Sequence, residues 1–132
     1  MSAAGGCLCG GVRFAVRGAL RHVLACHCSQ CRRWTGGYVM ATRATAAEVD
    51  FVASDTLAWY RSSGDAERGF CARCGSSLFW RRMTGDQKHL GIMAGALDPP
   101  TGVRLARHIF VADKSDFYDI ADGLPEHAAW PD

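Results

Sequence analysis

Residues 25–34 read Ala25-Cys26-His27-Cys28-Ser29-Gln30-Cys31-Arg32-Arg33-Trp34, and they place three cysteines within six residues. We call Cys26, Cys28 and Cys31 the cysteine triad. In an extended backbone Cys26 and Cys28 project to the same side, because they are two residues apart. Cys31 returns toward them if the chain turns after Cys28. Three thiolates could then converge on one zinc ion and leave its fourth tetrahedral position open, which is typical of a site for catalysis or ligand binding.

The chain has seven cysteines in 132 residues, an odd number that favours metal binding over a disulfide framework. Its start, Met1-Ser2-Ala3-Ala4-Gly5-Gly6, has no basic segment followed by an apolar run, so we expect no signal peptide. No stretch approaches the roughly 20 apolar residues of a membrane helix, so we expect no membrane partner. These features favour the cytoplasm, where cysteines stay reduced. Seven cysteines divide into a closed site with four ligands and an open site with three.

The composition is that of an ordinary globular protein, with 48% hydrophobic and 21% charged residues. A chain of this length can bury a core of its own, and it contains no repeat or long linker. We therefore expect one zinc-binding domain over residues 1–132. The formal net charge of +2 is too small to indicate nucleic-acid binding. No feature of the sequence sets the oligomeric state.

Short strands separated by glycine-rich turns indicate a mostly β fold. Val12, Phe14 and Val16 alternate with other residues at the period of a strand, and Gly18-Ala19 is typical of a hairpin turn. Residues 21–26 would then form the returning strand of that hairpin and deliver the cysteine triad. A short helix is expected over residues 29–34, ended by Gly36-Gly37. Further strands are expected over residues 38–43, 57–61, 88–94 and 105–111, followed by an irregular segment over residues 113–132.

The other four cysteines form two pairs with the spacing of metal ligands, Cys7-Leu8-Cys9 and Cys71-Ala72-Arg73-Cys74. Gly75 follows the second pair and can adopt the positive φ that lets the backbone wrap around a metal-bound sulfur. We predict that this four-cysteine cluster holds a structural zinc that joins the first hairpin to the middle of the sheet. Structural zinc contributes on the order of 10 kcal/mol of folding free energy in metal-dependent peptides. The alternative is that Cys7 and Cys9 are free thiols.

Spacing favours keeping the cysteine triad together, although the seven cysteines could be divided differently between two ions. Cys28 and Cys31 fall near the start of the predicted helix, where the helix dipole favours a thiolate. His27 could supply a fourth ligand. In an extended segment, however, its side chain points away from those of Cys26 and Cys28, which favours a supporting or core role.

Arg32 and Arg33 follow the triad and add positive potential beside it. They could bind an anionic ligand, or they could be a solvated pair on the surface. Trp34 is expected to pack against the helix, with a place in a ligand-binding wall as the alternative.

A zinc ion held by three thiolates carries a net charge of −1, which makes it a weak acid toward water. It still favours a fourth sulfur, and a coordinating thiol is deprotonated. A small exogenous thiol is therefore a natural fourth ligand, and its thiolate could attack the carbonyl carbon of a small aldehyde to give a hemithioacetal. The reverse reaction is that of a carbon–sulfur lyase. Nearby arginines would suit a carboxylate-bearing thiol such as glutathione.

Three cysteine segments, in their order along the chain, resemble those of the glutathione-dependent formaldehyde-activating family, which includes centromere-protein-V-like proteins. They are Gly6-Cys7-x-Cys9-Gly10, Cys26-His27-Cys28-x-x-Cys31-Arg32 and Phe70-Cys71-x-x-Cys74-Gly75-Ser76-x-Leu78. The segments His108-Ile109-Phe110-Val111, Asp116-Phe117-Tyr118 and Asp122-Gly123-Leu124-Pro125 are similar to the C-terminal pattern of that family. Phe117 stands where the family often has tryptophan.

The resemblance implies a β-tent fold with two zinc ions per chain. It implies a structural zinc on Cys7, Cys9, Cys71 and Cys74, and a catalytic zinc on Cys26, Cys28 and Cys31. The activity it implies is the condensation of glutathione with formaldehyde to S-hydroxymethylglutathione, with the carbon–sulfur lyase reaction in reverse.

Two other functions are compatible with the sequence. The first is a glutathione carrier that binds the thiol without accelerating a reaction. The second is a zinc-stabilised interaction module that touches nucleic acid through Arg32, Arg33, Arg81, Arg82, Arg104 and Arg107. The near-neutral charge and the lack of a basic run argue against the second.

Overall fold

The computed structural model describes residues 3–131, within which the chain forms ten β-strands and one α-helix. The strands are β1 Ala3–Gly6, β2 Arg13–Val16, β3 Val23–Cys26, β4 Val39–Thr45, β5 Val49–Ala53, β6 Leu57–Arg61, β7 Ala66–Cys71, β8 Ser77–Arg82, β9 His89–Met93 and β10 Leu105–Ile109. The helix α1 spans Ser29–Thr35 and contains Cys31, the last cysteine of the triad. The prediction of a mostly β fold with one short helix after the triad is confirmed.

The strands form two sheets. One has three strands in the order β1-β2-β5, and the other has seven in the order β10-β3-β4-β9-β8-β7-β6. Every strand pair is antiparallel except β3 with β10, which is parallel. In the described part of the chain, no helix is long and apolar enough to cross a membrane.

The main core lies where β2 of the small sheet meets β8 and β9 of the large one. Phe14 and Val16 are buried on one face of β2, as their alternation predicts. The Phe14 ring meets the Phe79 ring edge to face, with centroids 5.2 Å apart. Ile92 of β9 is fully buried in the same cluster. Apolar burial between the sheets therefore fixes their relative position.

The prediction that residues 12–17 and 21–26 pair as a hairpin is wrong. β2 pairs with β1 and β5, whereas β3 pairs with β4 and β10 in the other sheet. Alternation identifies the buried face of a strand but not its partner, and β5 supplies a second strand of similar apolar character. The backbone N–H of Arg17 donates to the carbonyl of Glu48, so the chain leaves β2 toward the start of β5.

The opposite face of the large sheet carries a second apolar cluster, and this cluster surrounds the cysteine triad. Its buried members are Cys26, Cys31, Val39, Ala41, Met93 and Ile109. They come from four different elements, β3, α1, β4 and β9, together with the end of β10. The large sheet therefore separates a structural core on one face from the triad on the other.

Phe79→Ala should lower the free energy of unfolding by about 3–5 kcal/mol, because Phe79 is fully buried and its ring contacts those of Phe14, Phe51 and Trp59. Urea unfolding followed by circular dichroism measures the change. Tyr60→Ala is the control, since Tyr60 is 62% exposed on β6 and should change stability by less than about 1 kcal/mol. If Phe79→Ala lowers the free energy of unfolding as little as Tyr60→Ala does, Phe79 is not part of the main core.

Candidate metal centres

The structure brings Cys7, Cys9, Cys71 and Cys74 together. Their four sulfur atoms all lie within 4.8 Å of one another, and Cys9 Sγ is 3.6 Å from both Cys7 Sγ and Cys71 Sγ. Sulfurs that bind one zinc tetrahedrally at about 2.3 Å are separated by roughly 3.8 Å. The donor set and its spacing therefore fit a zinc ion with four thiolate ligands.

Two tight turns deliver these sulfurs. The N–H of Gly10 donates to the carbonyl of Cys7 over 3.2 Å, and the N–H of Gly75 donates to that of Cys71 over 2.8 Å. Both glycines have φ of 81°, which a side chain rarely permits. The backbone N–H of Cys74 lies 3.3 Å from Cys71 Sγ, so the turn also directs a donor at a sulfur. The predicted positive φ of Gly75, which wraps the backbone around Cys71 and Cys74, is confirmed.

Polar neighbours favour the thiolate form of two of these cysteines, Cys71 and Cys74, whereas burial raises the pKa of Cys7. A hydrogen bond with Ser76 lowers the pKa of Cys74 to about 5. The Thr56 hydroxyl, 3.2 Å from Cys71 Sγ, lowers the pKa of Cys71. Arg73 donates from Nε to Cys9 Sγ over 3.2 Å. The cluster is thus prepared for a cation.

The cysteine triad is formed by three consecutive structural features. Cys26 ends β3, Cys28 is the N-cap of α1, and Cys31 lies in the first turn of that helix. The three sulfurs lie within 4.8 Å of one another. The N–H of Cys31 points at Cys28 Sγ over 3.4 Å, and hydrogen bonding from Cys26 is the main cause that lowers the pKa of Cys28 to about 2. Three converging sulfurs with a stabilised thiolate fit a zinc ion that keeps one further position.

Arg68 is the site residue that sequence reasoning missed. It lies on β7, is only 4% exposed, and places Nη1 3.6 Å from Cys31 Sγ. Its guanidinium also lies 5.1 Å from the centroid of the Trp34 ring. Among residues 3–131 it forms no ion pair with a carboxylate, and its Nε has no hydrogen-bond partner. A buried cation needs a compensating anion, and the triad sulfurs beside Arg68 would supply one when they bind a metal as thiolates.

The triad opens into a cleft of about 830 Å³ on the face of the large sheet. All three triad cysteines line it. Its cationic residues are Arg21, Arg43, Arg68 and Arg82, and its acidic residues are Asp65, Asp86 and Asp113. Its larger apolar residues are Leu24, Val39, Trp80, Met93, Ile109, Phe110 and Trp130. This combination of an apolar lining with a few charged groups is that of a small-molecule site.

The structure places Arg32 and Arg33 on α1 outside the lining of this cleft. Arg33 is exposed and Arg32 is half-buried. Trp34 packs against the apolar cluster around the triad, as expected. Anion binding by the two arginines stays a prediction, and the arginines that line the cleft come from the strands and from the segment before β3.

His27 points into a buried polar chain behind the triad. Its Nδ1 is hydrogen-bonded to the Tyr118 hydroxyl, its Nε2 lies 2.9 Å from His108 Nδ1, and His108 Nε2 lies 2.8 Å from Asp122 Oδ2. Burial of the ring lowers the pKa of His27, which favours its neutral form. Both ring nitrogens are engaged, so the geometry supports the role behind the sulfurs rather than that of a fourth ligand. This chain of hydrogen bonds ties the C-terminal segment, through Tyr118 and Asp122, to the segment that carries Cys26 and Cys28.

The fold and the two cysteine clusters define a small, mostly β protein with candidate sites for two metal ions. Residues 2–113 match the family model of the glutathione-dependent formaldehyde-activating enzyme, and the chain belongs to that family. An uncharacterized lyase of Schizosaccharomyces pombe is 28% identical over 118 residues, which cover 89% of this chain and 85% of the relative. A crystal structure of a Rhodobacter sphaeroides protein is similar with a TM-score of 0.61 and 26% identity, over 75% of this chain and 91% of the other. These likenesses support a lyase-type enzyme at the level of the family.

Tyr118→Phe should lower the free energy of unfolding by about 1–3 kcal/mol, because it leaves the buried Nδ1 of His27 without its partner. Chemical denaturation at neutral pH measures the change. Tyr38→Phe is the matched control, since the Tyr38 ring also stacks on His27, with centroids 4.6 Å apart, but the hydrogen bond to Nδ1 comes from Tyr118. Equal effects of the two variants would show that the polar chain does not stabilise the loop.

Proposed function

We propose that this protein is a zinc-dependent carbon–sulfur lyase that acts reversibly on the adduct of a small thiol with an aldehyde. Glutathione and formaldehyde are the pair that the name of the family indicates. The observation that carries the proposal is the position of Cys26, Cys28 and Cys31, which converge at the wall of an open cleft. A closed scaffold site would have a fourth protein ligand.

The two clusters then have different roles. The structural zinc is held by four protein ligands, Cys7, Cys9, Cys71 and Cys74, so its site is closed. Cys26, Cys28 and Cys31 hold the catalytic zinc. When bound to the triad, the zinc supplies a site at which an added thiol loses its proton. We take residues 1–132 as one domain that acts in the cytoplasm.

The reaction needs few groups. In the forward direction the thiolate sulfur attacks the carbonyl carbon, a C–S bond forms, and the π electron pair moves to the oxygen, which takes up a proton. In reverse the hydroxyl loses its proton, the carbonyl forms again, and the C–S electron pair stays on the sulfur. The chain therefore has to hold a thiolate, orient the adduct and keep water from the sulfur.

Arg68 helps to hold the anionic sulfur. Its guanidinium lies against Cys31 Sγ at the buried side of the cleft, so its positive charge offsets the negative charge of the three thiolates. An incoming thiolate would meet less repulsion there, because charge effects are strong where water is excluded. Arg68 is thus a positioning residue for the fourth sulfur.

The other arginines of the cleft suit the carboxylates of the thiol. Val39, Ala41 and Arg43 are two residues apart on β4, so they face the cleft together. Arg43 is four positions after Val39, which is about 13 Å along the strand at roughly 3.3 Å per residue. Arg21 lies beside this end, where its Nη2 donates to the carbonyl of Ala41. A thiol bound at the triad could direct a carboxylate toward these guanidinium groups.

Calorimetric titration of reduced glutathione into zinc-loaded protein tests the proposal. We expect glutathione to bind at least tenfold more tightly than S-methylglutathione, which cannot supply a thiolate, and to release a proton. Cys28→Ser should abolish this preference and the turnover with formaldehyde while it keeps the unfolding midpoint, because Cys28 lies outside the structural cluster.

Equal or absent binding of the two ligands would overturn glutathione as the fourth ligand. Full activity of Cys28→Ser would overturn the open site. Selective binding of reduced glutathione without any rate above the spontaneous reaction would identify a carrier instead of an enzyme.

A further inference from the structure

The cleft is apolar where it meets the cysteine triad. Val39, Met93 and Ile109 are at most 7% exposed and pack with Cys26 and Cys31. Ile109 pairs with Cys26 across the parallel strands β10 and β3. A carbon bound to a sulfur at this point therefore has hydrocarbon on the side of Val39, Met93 and Ile109, whereas the Arg68 guanidinium lies beside Cys31.

An aromatic pair continues this apolar wall. Phe110 directly follows Ile109, and its ring meets the ring of Trp130 edge to face, with centroids 5.3 Å apart. Trp130 lines the cleft and yet is 61% exposed. An indole that lines a cavity and stays largely in contact with solvent offers free apolar area to a ligand.

Phe110 has an unusual backbone. Its φ is 55°, and among the non-glycine residues of the described chain it alone has a positive φ. A bulky side chain in this left-handed region is strained, and such residues are concentrated at ligand sites. The surrounding backbone holds it there, since its N–H donates to the carbonyl of Ala129 and that of Val111 donates to His127. The same contacts bring Trp130 to the wall of the cleft.

The cleft has the size of pockets that enclose drug-sized ligands, which span about 300–1,000 Å³, and it has to hold the thiol together with its electrophile. The volume of about 830 Å³ extends from the triad toward Arg43, where the carboxylates of the thiol are expected, and toward Phe110 and Trp130 at its aromatic wall. The aromatic end has no evident use in an adduct that carries only a hydroxymethyl group.

We propose that Phe110 and Trp130, with the apolar residues beside the triad, form a subsite for an aryl group on the electrophile. The preferred substrate class is then the adduct of a carboxylate-bearing thiol with an aryl-substituted aldehyde. The bond that breaks is the same C–S bond, with the electron pair left on sulfur and the hydroxyl converted to a carbonyl after loss of its proton. This inference rests on the proposed function for its chemistry, but the subsite itself can be tested by binding alone.

The test compares S-benzylglutathione with S-methylglutathione by calorimetry on the zinc-loaded protein. Both are thioethers, so neither needs to be cleaved or to supply a thiolate. We expect the benzyl ligand to bind at least tenfold more tightly, because its ring is buried against apolar area. Trp130→Ala should reduce that preference to less than threefold, and Trp130→Phe should restore most of it.

Phe117→Ala is the matched control, because Phe117 is 63% exposed and lies outside the lining of the cleft. It should keep the full preference. Equal affinities of the two thioethers, undetectable binding of the benzyl ligand, or a preference that survives Trp130→Ala would overturn the aryl subsite. Selective binding of reduced glutathione without a benzyl preference would overturn the aryl subsite but support the proposed function. A benzyl preference without turnover of any adduct would support the aryl subsite but overturn the proposed lyase activity.

Discussion

The convergence of Cys7 and Cys9 with Cys71 and Cys74 joins the small sheet to the large one. The first pair follows β1 of the small sheet, and the second lies at the end of β7 in the large one. Their sulfurs therefore meet where the two sheets meet. Burial of Phe14 against Phe79 acts at the same junction. With the sheets held in this way, one face of the large sheet is the core and the other is left for a cleft.

The cysteine triad is brought together by little regular structure. One strand end, one helix N-cap and one helical turn direct three sulfurs to a point. The support comes from both sides of the loop. His27 and its chain of Tyr118, His108 and Asp122 lie behind it, and Arg68 lies against Cys31. A loop held on both sides can keep its sulfurs in place whether or not a fourth ligand is bound.

Much of the cysteine geometry could be predicted from the sequence, because ligand spacing is local. Cys26, Cys28 and Cys31 lie within six residues, so a strand followed by a helix brings them together. Spacing also favours the partition into four and three without fixing it, and the structure groups the sulfurs in that way. Alternation at Phe14 and Val16 gave the buried face of β2, and Gly36 ends α1 in the left-handed conformation, as expected.

The remaining features depend on partners that are distant in the chain. The pairing of β2 with β1 and β5 is set by packing between sheets, which a period-two pattern does not encode. Arg68 has no motif around it, and only the fold reveals that its guanidinium is buried beside Cys31. The polar chain joins residues 81 to 91 positions apart in sequence, and the same fold brings Phe110 to Trp130.

X-ray absorption at the zinc edge distinguishes a closed from an open zinc site among the seven cysteines. On protein loaded with two zinc ions, we expect an average of about 3.5 sulfur ligands per zinc, from four in one site and three in the other. Addition of reduced glutathione should raise the average to about 4. An average of about 4 before any thiol is added, or no change after it, would contradict an open triad site.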